Sequence, residues 1–273
     1  MLLKIILLVK KYYLGITTFL FIHMLVLFSC TGPDKRVINI ACASNLQFVL
    51  PVLIEEYLKI SLNPDIKIEI SFGSSGKLAS QIKEGAPFNL FLAANIDYPD
   101  KLYKDGHAIN PPKVYAIGKL ILFKPKGALD DNNFIDELSF EKNLVAIPNP
   151  ALAPYGKAVF QFLDKINLKI SDKRILLADN IGTAIHYCLS GSNLGFISYS
   201  ALHSEELIKY KNTTSFIILP ESSYDPIRQG LVIVNYGNLQ TEIDSLVLFL
   251  FSEFGQNIFK SYGYSRGERY AVH

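Results

Sequence analysis

After a long apolar opening, the chain settles into an alternation of short apolar runs and longer amphipathic stretches. "VINIA" (37–41), "IKIEISF" (66–72), "FNLFLAA" (88–94), "NLVAI" (143–147) and "RILLA" (174–178) read as strands. So do "LGFIS" (194–198), "SFIILP" (215–220) and "GLVIVN" (230–235). Short apolar runs bounded by turn residues suit strands buried on both faces. Helical spacing fills the segments between them, at 46–59, 77–85, 96–106, 157–166 and 183–191. One last amphipathic stretch, 241–263, predicts a single closing helix. Gly85 and Gly106 stand where helices should stop. Strands alternating with helices predict an α/β architecture with parallel sheets. Such sheets bind ligands beyond the carboxyl ends of their strands, at helix N-termini.

Five loops fall at that edge: Ala43-Ser44-Asn45, Gly73 to Gly76, Pro154-Tyr155-Gly156, Asn180-Ile181-Gly182 and Ser198-Tyr199. Each helix start offers N–H groups without an intrahelical partner and a partial positive charge. Several aimed at one point make an anion site that needs no cation. Ser44 and Ser75 also read as ordinary N-caps, each worth about 1 kcal/mol to its helix. Their joint occurrence at one edge, rather than either serine alone, favours a ligand. "SFGSSGKLA" (71–79) resembles a phosphate loop, but Ser71 replaces the first glycine and Leu78 the magnesium-binding hydroxyl. A nucleotide is therefore not expected. Neither serine lies in a G-x-S-x-G elbow, which disfavours an exported hydrolase.

Composition narrows the class further. A net charge of +2 gives no reason to expect nucleic acid as a partner. The opening segment carries Lys4, Lys10 and Lys11 before an apolar run to Phe28, the pattern of a secretory signal. Its end, "LFSC", resembles a bacterial lipobox with Cys30 as the lipidated residue and new N-terminus. A retained membrane anchor and plain cleavage are the alternatives; all three place residues 31–273 outside the cytoplasmic membrane. Cys42 and Cys188 remain, and an unpaired state is favoured because a chain this size needs no covalent staple. The histidines are scattered without ligand spacing, so no zinc or other bare cation site and no cofactor is expected.

The stretches "ACASN", "SFGSSGKLASQIKEGAPFNLFLAAN", "NPALAPYGKA", "GFISY" and "DPIRQG" resemble, in order, the signatures of the periplasmic molybdate-binding proteins. These are the substrate-capturing components of ABC transporters. The resemblance implies a two-lobed periplasmic-binding-protein fold of type II, with mainly parallel sheets flanked by helices and the ligand in the interlobe cleft. After the signal segment over 1–30, it implies one lobe from 31–116 with 226–273, and a second from 117–225. It implies a binding protein, not an enzyme, that is monomeric, captures molybdate or tungstate and delivers it to the transporter's membrane subunits. By resemblance, the ligand donors are the Ser44 and Ser75 hydroxyls, the Tyr155 and Ile181 backbone N–H groups, and the Tyr199 hydroxyl. The chemistry agrees, because a divalent oxyanion presents only acceptors and must be met by donors. Sulfate, phosphate or an organic anion on the same fold is the alternative, since fold does not fix ligand. Asn89 and Asn95 stand where the family usually has aspartates. Lys77 and Lys157, beside two of the loops, are expected to face solvent or to add charge near the anion.

Overall fold

Every apolar run identified above becomes a strand, and the computed structural model describes them within residues 36–63, 65–191 and 194–267. The signal segment and Cys30 lie outside the described residues. The chain runs β1 (Val37–Ala43), a 3-10 turn (Ser44–Leu46), α1 (Leu50–Ile60), β2 (Lys67–Gly73), α2 (Ser75–Lys83) and β3 (Leu90–Ala93). It continues through α3 (Asp97–Lys104), β4 (Lys113–Gly118), β5 (Leu120–Phe123), α4 (Phe134–Ser139), β6 (Val145–Pro148) and α5 (Pro154–Lys165). Then come β7 (Ile175–Ala178), α6 (Ile181–Ser190), β8 (Leu194–Ser198), a 3-10 turn (Tyr199–His203) and β9 (Phe216–Ile218). The chain closes with β10 (Ile227–Ile233), α7 (Gln240–Phe251), α8 (Glu253–Ser261) and β11 (Ser265–Arg266).

Two sheets result, ordered β11-β4-β10-β3-β1-β2 and β7-β6-β8-β5-β9. The strand–helix–strand units pair in parallel, as expected: β1 with β2 and β3, and β6 with β7 and β8. Both sheets are nevertheless mixed. β10 runs antiparallel to β3 and β4, and β5 antiparallel to β8 and β9. These are strands flanking the two crossings between sheets, where no helix intervenes to restore the direction. The first crossing turns at Lys119, between β4 and β5, and the second passes from β9 to β10 through a short 3-10 turn at Glu221–Ser223.

Period-two burial explains the layering. In β3, Leu90 and Leu92 face a core made with Leu50, Leu53 and Tyr57 of α1 and Leu246 of α7. Phe91 and Ala93 face the other way, onto Leu78 and Ile82 of α2 and Leu102 of α3. The second lobe packs Phe123, Phe162, Phe196 and Ile185 around its own sheet. No disulfide joins Cys42 and Cys188; they are buried in the separate cores of the two lobes. Burial pushes the Cys42 thiol well above its usual range, which leaves it inert.

The closing helix departs from the sequence reading, and Asn89 and Asn95 find local partners. The closing helix breaks at Ser252, whose hydroxyl accepts from Gly255 N–H at 3.1 Å and so caps α8. Asn89 is a bridge, accepting from Asn39 N–H at 2.8 Å and donating to Tyr236 C=O at 3.0 Å. An ionised aspartate could accept the first bond but could not donate the second. Asn95 sits at the start of α3, donating to Asp97 at 3.0 Å.

Candidate functional site

Four helical starts meet at one small cavity between the lobes, about 10 Å³ in volume. The first lobe contributes the turn beginning at Ser44 and the start of α2 at Ser75; the second contributes the starts of α5 and α6. Ser44, Ser75, Tyr155 and Ile181 all line the cavity, and no charged residue does. Strand geometry brings them there, since β1, β2, β6 and β7 each end at this edge and hand over to a helix.

Neither serine acts as a cap. The residue before the 3-10 turn is Ala43, and the N-cap of α2 is Ser74, with no side-chain cap bond in either case. Ser44 and Ser75 are instead the first residues of their helical segments. Ser75 Oγ accepts from Ala94 N–H at 2.9 Å, which orients it and leaves its hydroxyl hydrogen to donate. Ser74 Oγ is buried without a protein partner and also lines the cavity. On the second lobe, Pro154 occupies the first turn of α5 and has no N–H, so Tyr155 supplies the first donor of that helix. Gly156 lets this turn close, because a Cβ there would stand 2.1 Å from the Pro148 carbonyl oxygen. At α6, the Asn180 side chain accepts from Thr183 N–H at 3.0 Å and caps the helix, while Ile181 presents the helix's first N–H.

Tyr199 is placed elsewhere. β8 ends at Ser198, and the turn that follows buries Ser198 and Ser200 on one side and sends Tyr199 the other way. The Tyr199 ring packs at 6.1 Å from Phe216 and 6.0 Å from His203, and a Cβ at Gly263 would strike it. Its N–H donates to Lys119 C=O at 2.9 Å, at the crossing between sheets. It is a hinge-side residue and does not line this cavity.

Sequence reasoning missed a buried polar network behind the cavity. Asn45 Nδ2 donates to Gln229 Oε1 at 3.0 Å and to Tyr264 Oη at 2.9 Å. Ser200 Oγ donates to Asn45 C=O at 3.0 Å, which ties the second lobe to the first. Burial raises the Tyr264 phenol well above its usual range, so it stays protonated and able to donate. The signal available was Asn45, which lies in a flagged loop; its partners lie 155, 184 and 219 positions away.

On the cleft side the lobes touch through Gly76 N–H, which donates to Leu152 C=O at 3.1 Å, and Tyr98 Oη, which donates to Ala151 C=O at 3.2 Å. Lys77 pairs with Asp179 across the cleft, and Lys157 lies 3.9 Å from Asp97. The two lysines thus bind carboxylates of the opposite lobe and add no cation to the cavity lining. A larger groove of about 770 Å³ lies on the first lobe between α1 and α7, but its lining is mostly apolar and offers an oxyanion little.

Residues 38–265 match the family of bacterial extracellular solute-binding proteins. A molybdate-binding protein of Azotobacter vinelandii is 32% identical over 242 residues, covering 87% of this chain and 93% of that one. The solved periplasmic molybdate-binding protein of the same organism superposes with a TM-score of 0.74 at 29% identity, over 85% of this chain and all of that one. A sulfate-binding protein of Mycobacterium tuberculosis shares the fold alone, with a TM-score of 0.69 at 12% identity over 85% of this chain and 87% of its own. The chain belongs to the bacterial extracellular solute-binding proteins and, among them, to the family of the periplasmic molybdate-binding proteins.

Proposed function

We propose that this protein captures molybdate or tungstate outside the cytoplasm and delivers it to the membrane subunits of an ABC transporter, without catalytic turnover. The observation that carries this reading is the convergence of four helix starts on a cavity with no charged lining. The proposed donors are the hydroxyls of Ser44 and Ser75 and the N–H groups of Tyr155 and Ile181. A buried oxyanion is tolerated only when fully hydrogen-bonded, and bonds to an ionised group are about twice as strong as neutral ones. Neutral donors hold the anion without a permanent counter-charge, so it can leave when the lobes part. The lobes, 31–116 with 226–273 and 117–225 apart from the last residues of β4, turn about the two crossings.

Calorimetric titration with molybdate, tungstate, sulfate and phosphate tests the ligand. Tight binding of molybdate and tungstate is expected, with sulfate and phosphate far weaker. Sulfate binding without molybdate heat would transfer the protein to the second reading, a sulfate, phosphate or organic-anion carrier on the same fold.

The "LFSC" stretch supports a further proposal, that Cys30 is lipidated and anchors a monomeric protein to the membrane surface. Cys30→Ser is expected to abolish incorporation of a labelled fatty acid, and persistent labelling refutes the anchor.

A further inference from the structure

The large apolar groove lies at the end of the first lobe that faces away from the oxyanion cavity. β1 and β2 are parallel and in register from Val37 opposite Lys67. The helix between them must therefore return along the sheet, and the connection 61–66 emerges beside Val37. There Ile60 is 64% exposed and Leu62 fully so. The groove continues onto α7 and α8, where Leu248 and Phe254 are also exposed. Tyr57 Oη donates to Glu242 C=O at 3.3 Å and fixes α7 against this corner. Single exposed apolar residues are ordinary. Several around one groove mark a surface that something covers.

The length of the chain before Val37 says what covers it. Only six residues, 31–36, separate Cys30 from Val37. Fully extended, that stretch reaches about 25 Å. A lipid on Cys30 holds the Val37 end of the sheet within that distance of the bilayer. Around the loop Glu55, Glu56 and Glu69 outnumber Lys59 and Lys67 by one, so contact at this corner is apolar rather than electrostatic. We propose that this corner rests on the lipid bilayer, with Ile60 and Leu62 dipping into its interfacial layer. The inference depends on the Cys30 anchor proposed above. It supplies the second contact that a lipid-tethered domain needs for a fixed orientation. Ser44 and the cavity stand at the opposite end of β1, seven residues away. That places the binding edge about 20 Å further from the bilayer than the docked corner.

The sequence contains no tryptophan, so Leu62→Trp introduces a unique emitter at a fully exposed position. Ile218→Trp, half-exposed on β9 of the second lobe, is the control. The full lipidated protein is reconstituted on phosphatidylethanolamine–phosphatidylglycerol vesicles with and without brominated acyl chains. Leu62→Trp should shift to the blue and lose about half its emission on brominated lipid, as a shallowly inserted side chain would. Ile218→Trp should do neither. Protein that floats with the vesicles while Leu62→Trp stays unquenched overturns the docking surface and leaves the anchor standing. Protein that neither floats nor carries label on Cys30 overturns the anchor, and the docking surface with it. A blue shift that follows protein concentration instead of lipid assigns the groove to a second copy and also overturns the proposal.

Discussion

Ser75 spends one lone pair on the Ala94 N–H and leaves its proton free to donate, so replacing it removes a potential donor and orphans a buried backbone group. Ser75→Ala is expected to weaken oxyanion binding by about 1–3 kcal/mol, roughly 5- to 150-fold in Kd. Calorimetry reads that loss, while thermal unfolding without ligand reads the separate cost of the orphaned N–H. Unchanged affinity would remove Ser75 from the site. Gly156→Ala acts through geometry, since its Cβ would meet the Pro148 carbonyl. Overpacking of this kind costs about 1–3 kcal/mol, and the shift moves the Tyr155 donor, so stability and affinity should fall together. His203 gives a pH signature. Desolvation, then the Lys211 charge beside it, holds its pKa below the usual histidine value. Folding thus favours the neutral ring, so this contribution is complete above about pH 6.5 and is lost as pH falls below it. His203→Gln should flatten the decline in unfolding midpoint between neutral and acidic buffer; an identical slope would exclude His203 as its source. Ser44, Ser75, Tyr155 and Ile181 fell in loops that the strand–helix pattern set at one edge, and the structure brings all four to one cavity. Tyr199 was misplaced because a single-residue step at the end of a strand reverses the facing of a side chain, and "GFISY" does not reveal that step.

Lys77 and Lys157 belong to helices on opposite lobes, and each reaches a carboxylate across the cleft. Both pairs are more than half exposed, so each contributes about 0.2–1 kcal/mol and is screened by salt. Lys77→Gln is therefore expected to raise the Kd for the oxyanion by no more than about fivefold, with the effect vanishing at high ionic strength. A large, salt-insensitive loss would mean that Lys77 touches the anion itself. Sequence alone could not choose between solvent and ligand here, because Asp179 lies 102 positions from Lys77 and the fold brings them together. Among the elements, the strand–helix repeats were readable from periodicity, since each unit buries its own apolar stripe. β4 and β5 were not among the strands read from the sequence; "KVYAIGKLILF" has no helical stretch to divide it, and it changes sheet at Lys119. The direction of β10 and β5 was equally hidden. Parallel and antiparallel buried strands share one apolar signature, and only the connection between them sets direction. The break at Ser252 had a visible capping residue, but the apolar run on both sides outweighed it.

At the scale of the whole molecule, the proposed site would have both lobes hold the oxyanion at once. With the proposed donors, Ser44 and Ser75 from the first lobe and Tyr155 and Ile181 from the second, bound ligand would add bonds that exist only when both lobes are folded and apposed. The lobes are already coupled on the hinge side through Asn45, Gln229, Tyr264 and Ser200, whose bonds are buried and need no ligand. Opening is therefore expected to swing the cleft side, where the contacts are exposed ion pairs and two backbone-directed bonds, with the polar network as its pivot. Ligand that binds only the folded, closed molecule stabilises it by mass action, about 2.7 kcal/mol at a hundredfold excess over Kd. Scanning calorimetry with molybdate should show one transition displaced upward by that amount, with sulfate at the same concentration leaving it in place. Ser75→Ala at equal molybdate should recover less of the shift, in proportion to its lost affinity. Two separate transitions in bound protein, with only one displaced, would mean that the anion is held by a single lobe. The cage built from four helix starts would then be wrong even if molybdate still bound.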